Sequence, residues 1–246
     1  MKAAYFRFYE ELNDFLPKEK RKTRFVHNFI DKASVQDMIE SFGVPHTEID
    51  LILVNGNSKN FSYIVKNQDD ISVYPVFESL DISDIQHLRA KPLRDTKFIP
   101  DVHLGKLARY LRMLGFDTKY ENDYHDYEIV DISLKDKRTI LTRDKGILKR
   151  NDVARGYWIR NNDPELQLKE VVDRFHLNNQ IREFERCMDC NTKLEKIDKK
   201  KIIDRLPFKV KEGQSEFWYC KTCDKIFWLG THYDKMKKMI RKLFYK

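Results

Sequence analysis

Alternation of apolar and polar positions opens the chain. AAYFRFYEEL and RKTRFVHNFI each carry the two-residue period of a half-buried strand, on either side of a turn. SVQDMIESFG then switches to helical spacing. Ser34 stands at its N-cap, Asp37 three residues on, and Gly43 where the helix should stop. DLILVNG, FSYIV and DDISVYPVF follow as short strands. Two strands, a helix and further strands predict a β-grasp, an α+β layer fold, over residues 1–80. ESLDISDIQHLRAKPLRDT has no clean period and contains a proline, so residues 81–96 read as a linker.

From residue 97 to 182 the pattern alternates between the two periods. KFIP, FDTKYE, RTILTRD and ARGYWIRN read as strands. LGKLARYLRMLG, with Leu104, Leu107, Ala108, Leu111 and Leu114 at helical spacing, DYEIVDISLKD and DPELQLKEVVDRFHL read as helices. Pro164 suits the first turn of the last of these. Strands separated by helices imply βαβ units and a parallel-sheet α/β domain. Residues 183–246 hold all four cysteines, and neither repeats nor low-complexity tracts occur.

Composition narrows the class. A hydrophobic fraction of 41%, with 16 Phe and 12 Tyr, supplies real cores, so the chain reads as globular and multidomain. No apolar run approaches the roughly 20 residues of a membrane span. Arg7 and Glu10 interrupt any apolar leader in MKAAYFRFYEEL, so a cytoplasmic protein is expected. The net charge is +8, and its location matters: residues 187–246 carry 16 Lys+Arg against 8 Asp+Glu, while the preceding 186 residues carry 31 of each. A basic module beside a neutral body suits a polyanionic partner.

The acids suggest what that partner would meet. Sites in parallel sheets form at the carboxyl ends of strands. Asp101 follows KFIP, Asp144 follows RTIL, Asp163 follows YWIRN, and Asp126 opens the helix between the second and third strands. Carboxylates that converge stay ionised together only if a cation neutralises them. Hard oxygen ligands select Mg²⁺ or Mn²⁺, which can polarise a phosphodiester and generate a hydroxide nucleophile. Lys106, Arg109 and Arg112 recur every three residues, so they are expected to share a face that meets phosphate. For any one of these acids, a helix cap or turn is the competing role, and for Asp163, before Pro164, the cap is favoured.

These stretches also carry a resemblance. IPDVHLGKLARYLRMLGFDTKYEND, DYEIVDISLKDKRTILTRD and DPELQLKEVVDRFHL closely resemble the Mut-seven C-terminal RNase family, within the PIN-like nucleases. SVQDMIESFGVPHTEIDLILVNG and YPVF resemble the ubiquitin-like domain fused to that family and, more loosely, sulfur carriers of the thiamine and molybdopterin pathways. Here the domain runs into VFESLDISDIQ without the terminal Gly-Gly that sulfur carriers activate, so sulfur transfer is not expected. The resemblance implies metal-dependent RNA cleavage, with 5′-phosphate and 3′-hydroxyl products by the PIN-like analogy. The family's acids match Asp101, Asp126 and Asp144, with Glu128 and Asp163 as additional acids. Thr142 and Arg143 stand beside Asp144, and Arg143 joins the residues expected to meet RNA. His103 departs from the small or apolar residue usual there and reads as a filler. PIN-like domains often pair, which leaves a homodimer open, and the ubiquitin-like domain offers a surface for a protein partner.

Cys187-Met-Asp-Cys190 and Cys220-Lys-Thr-Cys223 supply four thiolates, the set for a closed, structural tetrahedral Zn²⁺ site. Residues 183–246 thus read as a four-cysteine zinc ribbon with a basic tail. Phe217, Trp218, Tyr219, Phe227 and Trp228 are interleaved there; most are expected in a small core, and bases could stack on the exposed ones. The reading is a metal-dependent ribonuclease. Its alternatives are a catalytically degenerate RNA-binding adaptor and a protein-interaction scaffold.

Overall fold

In the computed structural model the described residues are 1–75 and 96–245. The linker expected over 81–96 therefore lies, apart from Thr96, outside the described residues. The chain divides into two compact units, Met1–Thr96 with His125–Trp158, and Lys97–Tyr124 with Ile159–Lys246.

The N-terminal region forms β1 (Lys2–Phe8), β2 (Phe25–Phe29), α1 (Val35–Ser41), β3 (Ile49–Val54), β4 (Asn57–Ser58) and β5 (Asp70–Pro75). The strands form one sheet in the order β2-β1-β5-β3-β4, with β1 parallel to β5 and the other pairs antiparallel. Alternation along β1 buries Ala4, Phe6 and Phe8, which meet Val35, Met38 and Ile39 of α1 in one core. The capping box forms as expected: the Asp37 N–H donates to Ser34 Oγ at 3.1 Å, and the Ser34 N–H returns to the Asp37 carboxylate at 3.3 Å. Gly43, at φ +96°, turns the chain out of the helix.

Two expected strands are corrected here. YEEL leaves β1 as a 3-10 helix over Glu10–Phe15, because the buried Asn13 amide donates to the Phe8 and Glu10 carbonyls and curls the chain. FSYIV makes only an isolated bridge, Ser34 to Ile64, with Tyr63 and Val65 laced to the start of α1. The two-residue β4 was not anticipated.

Next come β6 (Lys97–Pro100), α2 (Gly105–Met113), β7 (Asp117–Thr118), α3 (Asp126–Asp136), β8 (Thr139–Thr142), α4 (Lys145–Leu148), β9 (Gly156–Trp158) and α5 (Pro164–Arg174). Both strand pairs of this α/β domain are parallel. In one unit β6 pairs with β7, and α2 lies on both strands and on α5. In the other, β8 pairs with β9, α3 packs on β8 and α4 on β9. The expected strand FDTKYE shrinks to Asp117–Thr118, since the next backbone groups turn to other partners, Tyr120 among them.

The remainder forms β10 (Glu195–Lys196), α6 (Lys199–Ile202), α7 (Phe208–Gly213), β11 (Phe217–Cys220), β12 (Lys225–Trp228) and α8 (Thr231–Phe244). The three strands make an antiparallel sheet over a core of Ile202, Leu206 and Phe217. Among the described residues no helix is long and apolar enough to cross a membrane.

Candidate functional site

Each expected acid sits at the start of a helical turn. Asp101 directly follows β6, is 6% exposed, and accepts the His103 N–H at 2.9 Å, capping a 3-10 turn over Val102–Leu104. Asp144 lies just past β8 and caps α4, its Oδ1 accepting the Gly146 N–H at 2.7 Å while its own N–H donates to Thr142 Oγ1 at 2.9 Å. Asp144 is exposed, and its Oδ2 accepts no hydrogen bond from a described residue. Asp163 caps α5 through the N–H groups of Glu165 and Leu166 at 2.9 and 3.1 Å, with Pro164 behind it. Asp126 is the exposed first residue of α3, where Glu128 returns its carboxylate to the His125 N–H at 2.8 Å. The cap hydrogen bonds orient the carboxylates of Asp101, Asp144 and Asp163. Asp101 and Asp163 fall in one unit, Asp126 and Asp144 in the other. Within either unit, the described acids do not assemble a group of three close enough to share one ion.

The segment carrying Asp144 is held by the N-terminal sheet domain, within one unit. Glu48 Oε1 accepts the Trp158 N–H at 2.6 Å. His46 places Nε2 2.9 Å from the Val153 carbonyl and Nδ1 2.7 Å from Glu40, whose own carbonyl accepts Lys149 Nζ at 3.0 Å. Lys145, next to Asp144, lies with its ammonium 3.9 Å from the Trp158 ring centroid and 5.0 Å from that of Phe15. The indole N–H of Trp158 donates to the Arg143 carbonyl at 3.3 Å. Sequence reasoning missed these residues, since partners roughly a hundred positions apart leave no local pattern.

The basic face is corrected at Arg112. Lys106 is exposed, its ammonium 5.8 Å from the Tyr110 ring, and Arg109 is exposed beside Asp189 at 3.3 Å. Arg112 is 3% exposed. Its guanidinium donates to the carbonyls of Thr118 (2.8 Å), Tyr120 (3.2 Å), Met188 (3.2 Å) and Asp189 (2.6 Å). Burial pulls its pKa down, opposed by Glu121 and the nearby cysteines. A spacing of three winds around a helix, so the third residue of the run turns inward. Arg143 is exposed.

What Arg112 holds is the first cysteine turn. Asn191, just after it, donates to Asp117 Oδ1 at 2.8 Å and accepts the Thr118 N–H at 3.0 Å. Arg186 Nε donates to the Gly115 carbonyl at 3.1 Å, and Lys225 Nζ reaches Asp189 at 2.5 Å, holding that carboxyl below its usual range. Asn191 and Asp224 take the left-handed conformation (φ +69° and +53°) that closes each turn. The four Sγ atoms of Cys187, Cys190, Cys220 and Cys223 all lie within 4.8 Å of one another, and none forms a disulfide. Sulfurs around a tetrahedral ion at about 2.3 Å would stand about 3.8 Å apart. The Cys190–Cys220 and Cys187–Cys223 separations, 3.3 and 4.0 Å, bracket that value. Burial opposes ionisation of Cys190, yet hydrogen bonds led by Thr192 outweigh it and bring the thiol to about 6. Cys223 is pushed up by its hydrogen bond to Cys190, and Cys187 by burial. The quartet is thus a cluster able to hold one thiophilic cation.

No curated protein and no solved structure matches the chain. Two family models do: the Mut7-C ubiquitin over residues 1–81 and the Mut7-C RNAse domain over residues 96–240. With more than half of its length in the second match and the first as its N-terminal fusion, the chain belongs to the Mut7-C RNase family, a nuclease-type family.

Proposed function

We propose that this protein is a metal-dependent ribonuclease that hydrolyses RNA phosphodiester bonds. The observation that carries the reading is the pair Asp101 and Asp144, each directly after a parallel strand and each aimed by a helical turn, in a chain of an RNase family. Asp101, Asp126 and Asp144 would hold Mg²⁺ or Mn²⁺, with Glu128 as an adjacent acid; Asp163 serves α5 as its cap. A divalent cation at such carboxylates lowers the pKa of bound water and offsets charge on the phosphoryl oxygens. The chain's own contribution is to fix the carboxylates through their caps and to meet flanking phosphates with Lys106, Arg109 and Arg143. Arg112 leaves this set, because its donors are engaged by carbonyls. The cysteine quartet would hold a structural Zn²⁺, its closed shell leaving no open position. The ribbon and its basic tail would add RNA affinity. This reading uses a division into residues 1–80, 97–182 and 183–246.

Cleavage of a labelled RNA pool and a matched DNA, with Mn²⁺, Mg²⁺ or EDTA, beside Asp144→Asn, tests the reading. The expected result is RNA cleavage that needs the metal and is lost in the variant, while RNA binding persists. Binding without metal-dependent cleavage would move the assignment to an RNA-binding adaptor.

A further inference from the structure

The antiparallel register of the ribbon sorts its aromatics into two faces. Phe217 stands opposite Trp228, and Trp218 opposite Phe227. Adjacent residues of a strand point to opposite faces. Phe217 and Trp228 pack with Ile202 and Leu206 in the small core. Trp218 and Phe227, both half-buried, stand on the other face and line a cavity of about 440 Å³ whose further walls include Phe184, Tyr233, Met188 and Met236, with Trp228 and Ile226 reaching it from the core side. That volume lies in the range, about 300–1,000 Å³, of small-ligand pockets.

Three features say what this cavity takes. Phe184 is held with φ +60°, a backbone conformation that bulky side chains adopt at a cost, and its ring lies 4.7 Å from that of Tyr233, tilted by 46°. The wall is therefore placed against local preference. At the rim, the exposed side chains of Thr231 and His232 make no hydrogen bond with a described residue. Along α8, Lys237 pairs with Glu183 and Lys242 lies 3.8 Å from Glu165, whereas Lys235, Lys238 and Arg241 have no ion-pair partner among the described residues. These three exposed cations follow His232 at intervals of three residues. An aromatic slot, free polar groups at its mouth and an unneutralised basic ridge beside it match the three parts of a nucleotide: a flat base, its hydrogen-bonding edge and its phosphate.

We propose that this cavity is a nucleobase slot. An unpaired base of single-stranded RNA would stack on Trp218 and Phe227, with the flanking phosphates on Lys235 and Lys238. This rests on the reading of RNA as the substrate and locates where the ribbon grips it. Every base has a π face, so the slot reads strandedness rather than sequence.

The test is anisotropy of the full-length protein, in buffer without added Mg²⁺ or Mn²⁺ and without chelator, with a fluorescein-labelled mixed-sequence 12-nucleotide single-stranded RNA and with an RNA duplex of equal length, across a salt series. Loss of one stacked base should weaken single-strand binding by about tenfold to a hundredfold. Trp218→Ala should show that loss with the salt slope unchanged and duplex binding unmoved, and Trp218→Phe should restore most of the affinity. Lys238→Gln should instead lower the salt slope by about 1. Metal content and circular dichroism like wild type confirm that the variants fold. Unchanged single-strand affinity in folded Trp218→Ala, or an equal loss for duplex, would overturn the slot and leave the cavity to an apolar peptide. The nuclease reading fails separately, through metal-independent behaviour of the cleavage assay, and the slot would survive that result.

Discussion

Arg112→Met separates a structural arginine from a phosphate-binding one. Methionine keeps most of the side-chain length but removes donors from four carbonyls, those of Thr118, Tyr120, Met188 and Asp189. A buried acceptor left unpaired costs about 1–3 kcal/mol. The four costs do not add in full: carbonyls at the edge of the site recruit water, and the variant no longer buries a cation, whose desolvation already drags the Arg112 pKa down. Breaking a buried charged contact by removing one partner costs about 3–5 kcal/mol, and the lower end suits this site. About 3 kcal/mol corresponds to a local opening equilibrium raised by about a hundredfold. Hydrogen exchange resolved by peptide reads it directly, at 112–120 and 187–191, and does not assume that a multidomain chain unfolds in one step. Arg112→Lys retains the charge but loses the planar fork, so it should recover less than half of the loss. The reasoning is refuted if exchange in both peptides matches wild type while RNA affinity falls with a salt slope reduced by about 1, the signature of a lost phosphate contact.

Glu48→Ala should free the Trp158 N–H and raise exchange across 143–158 by about tenfold, the equivalent of one buried hydrogen bond of about 1–2 kcal/mol; kcat for RNA cleavage should fall more than KM rises, and unchanged exchange would show that the N-terminal domain does not brace this segment. Removing the metal with a strong chelator, or Cys220→Ser, should erase exchange protection in β10–β12, whose core cluster holds three buried apolar residues, Ile202, Leu206 and Phe217, while β1–β5 keep theirs; protection that survives metal loss would show the ribbon folding without its ion. Gly115→Ala places a Cβ 2.3 Å from the Arg182 carbonyl at φ +92°, so the melting temperature should drop by several degrees, whereas Gly213→Ala, with open space around it, should leave it within a degree or two. An equal response of the two glycine variants would contradict the packing of 182–186 against the end of α2.

Much of this architecture is written in short-range pattern. Period-2 alternation located β1, which buries one face, and short apolar runs located β6 and β8, which are buried almost throughout. The Ser34/Asp37 capping box and the Asp163-Pro164 cap act within three residues of themselves, so their chemistry is visible in the letters alone. Two CxxC turns announce four sulfurs for one ion because each turn prepositions two of them. FSYIV and YEEL misled for the complementary reason: their alternation is strand-like, but Asn13 and the start of α1 offered their backbones better partners. Arg112 shares a spacing with Lys106 and Arg109, yet which side of α2 is outside depends on the segment 188–191 that packs there. Trp218 and Trp228 are indistinguishable as letters, and only the cross-strand register packs Trp228, and not Trp218, against the small core. His46 and Glu48 reach Val153 and Trp158 across more than a hundred residues. The sequence by itself determined the elements, their caps and the chemical kinds of the two candidate centres, because those depend on neighbours a few residues away. The tertiary structure alone decided which charges are spent inside, which aromatics remain available and what holds the Asp144 segment, because those depend on contacts that close only when distant segments meet.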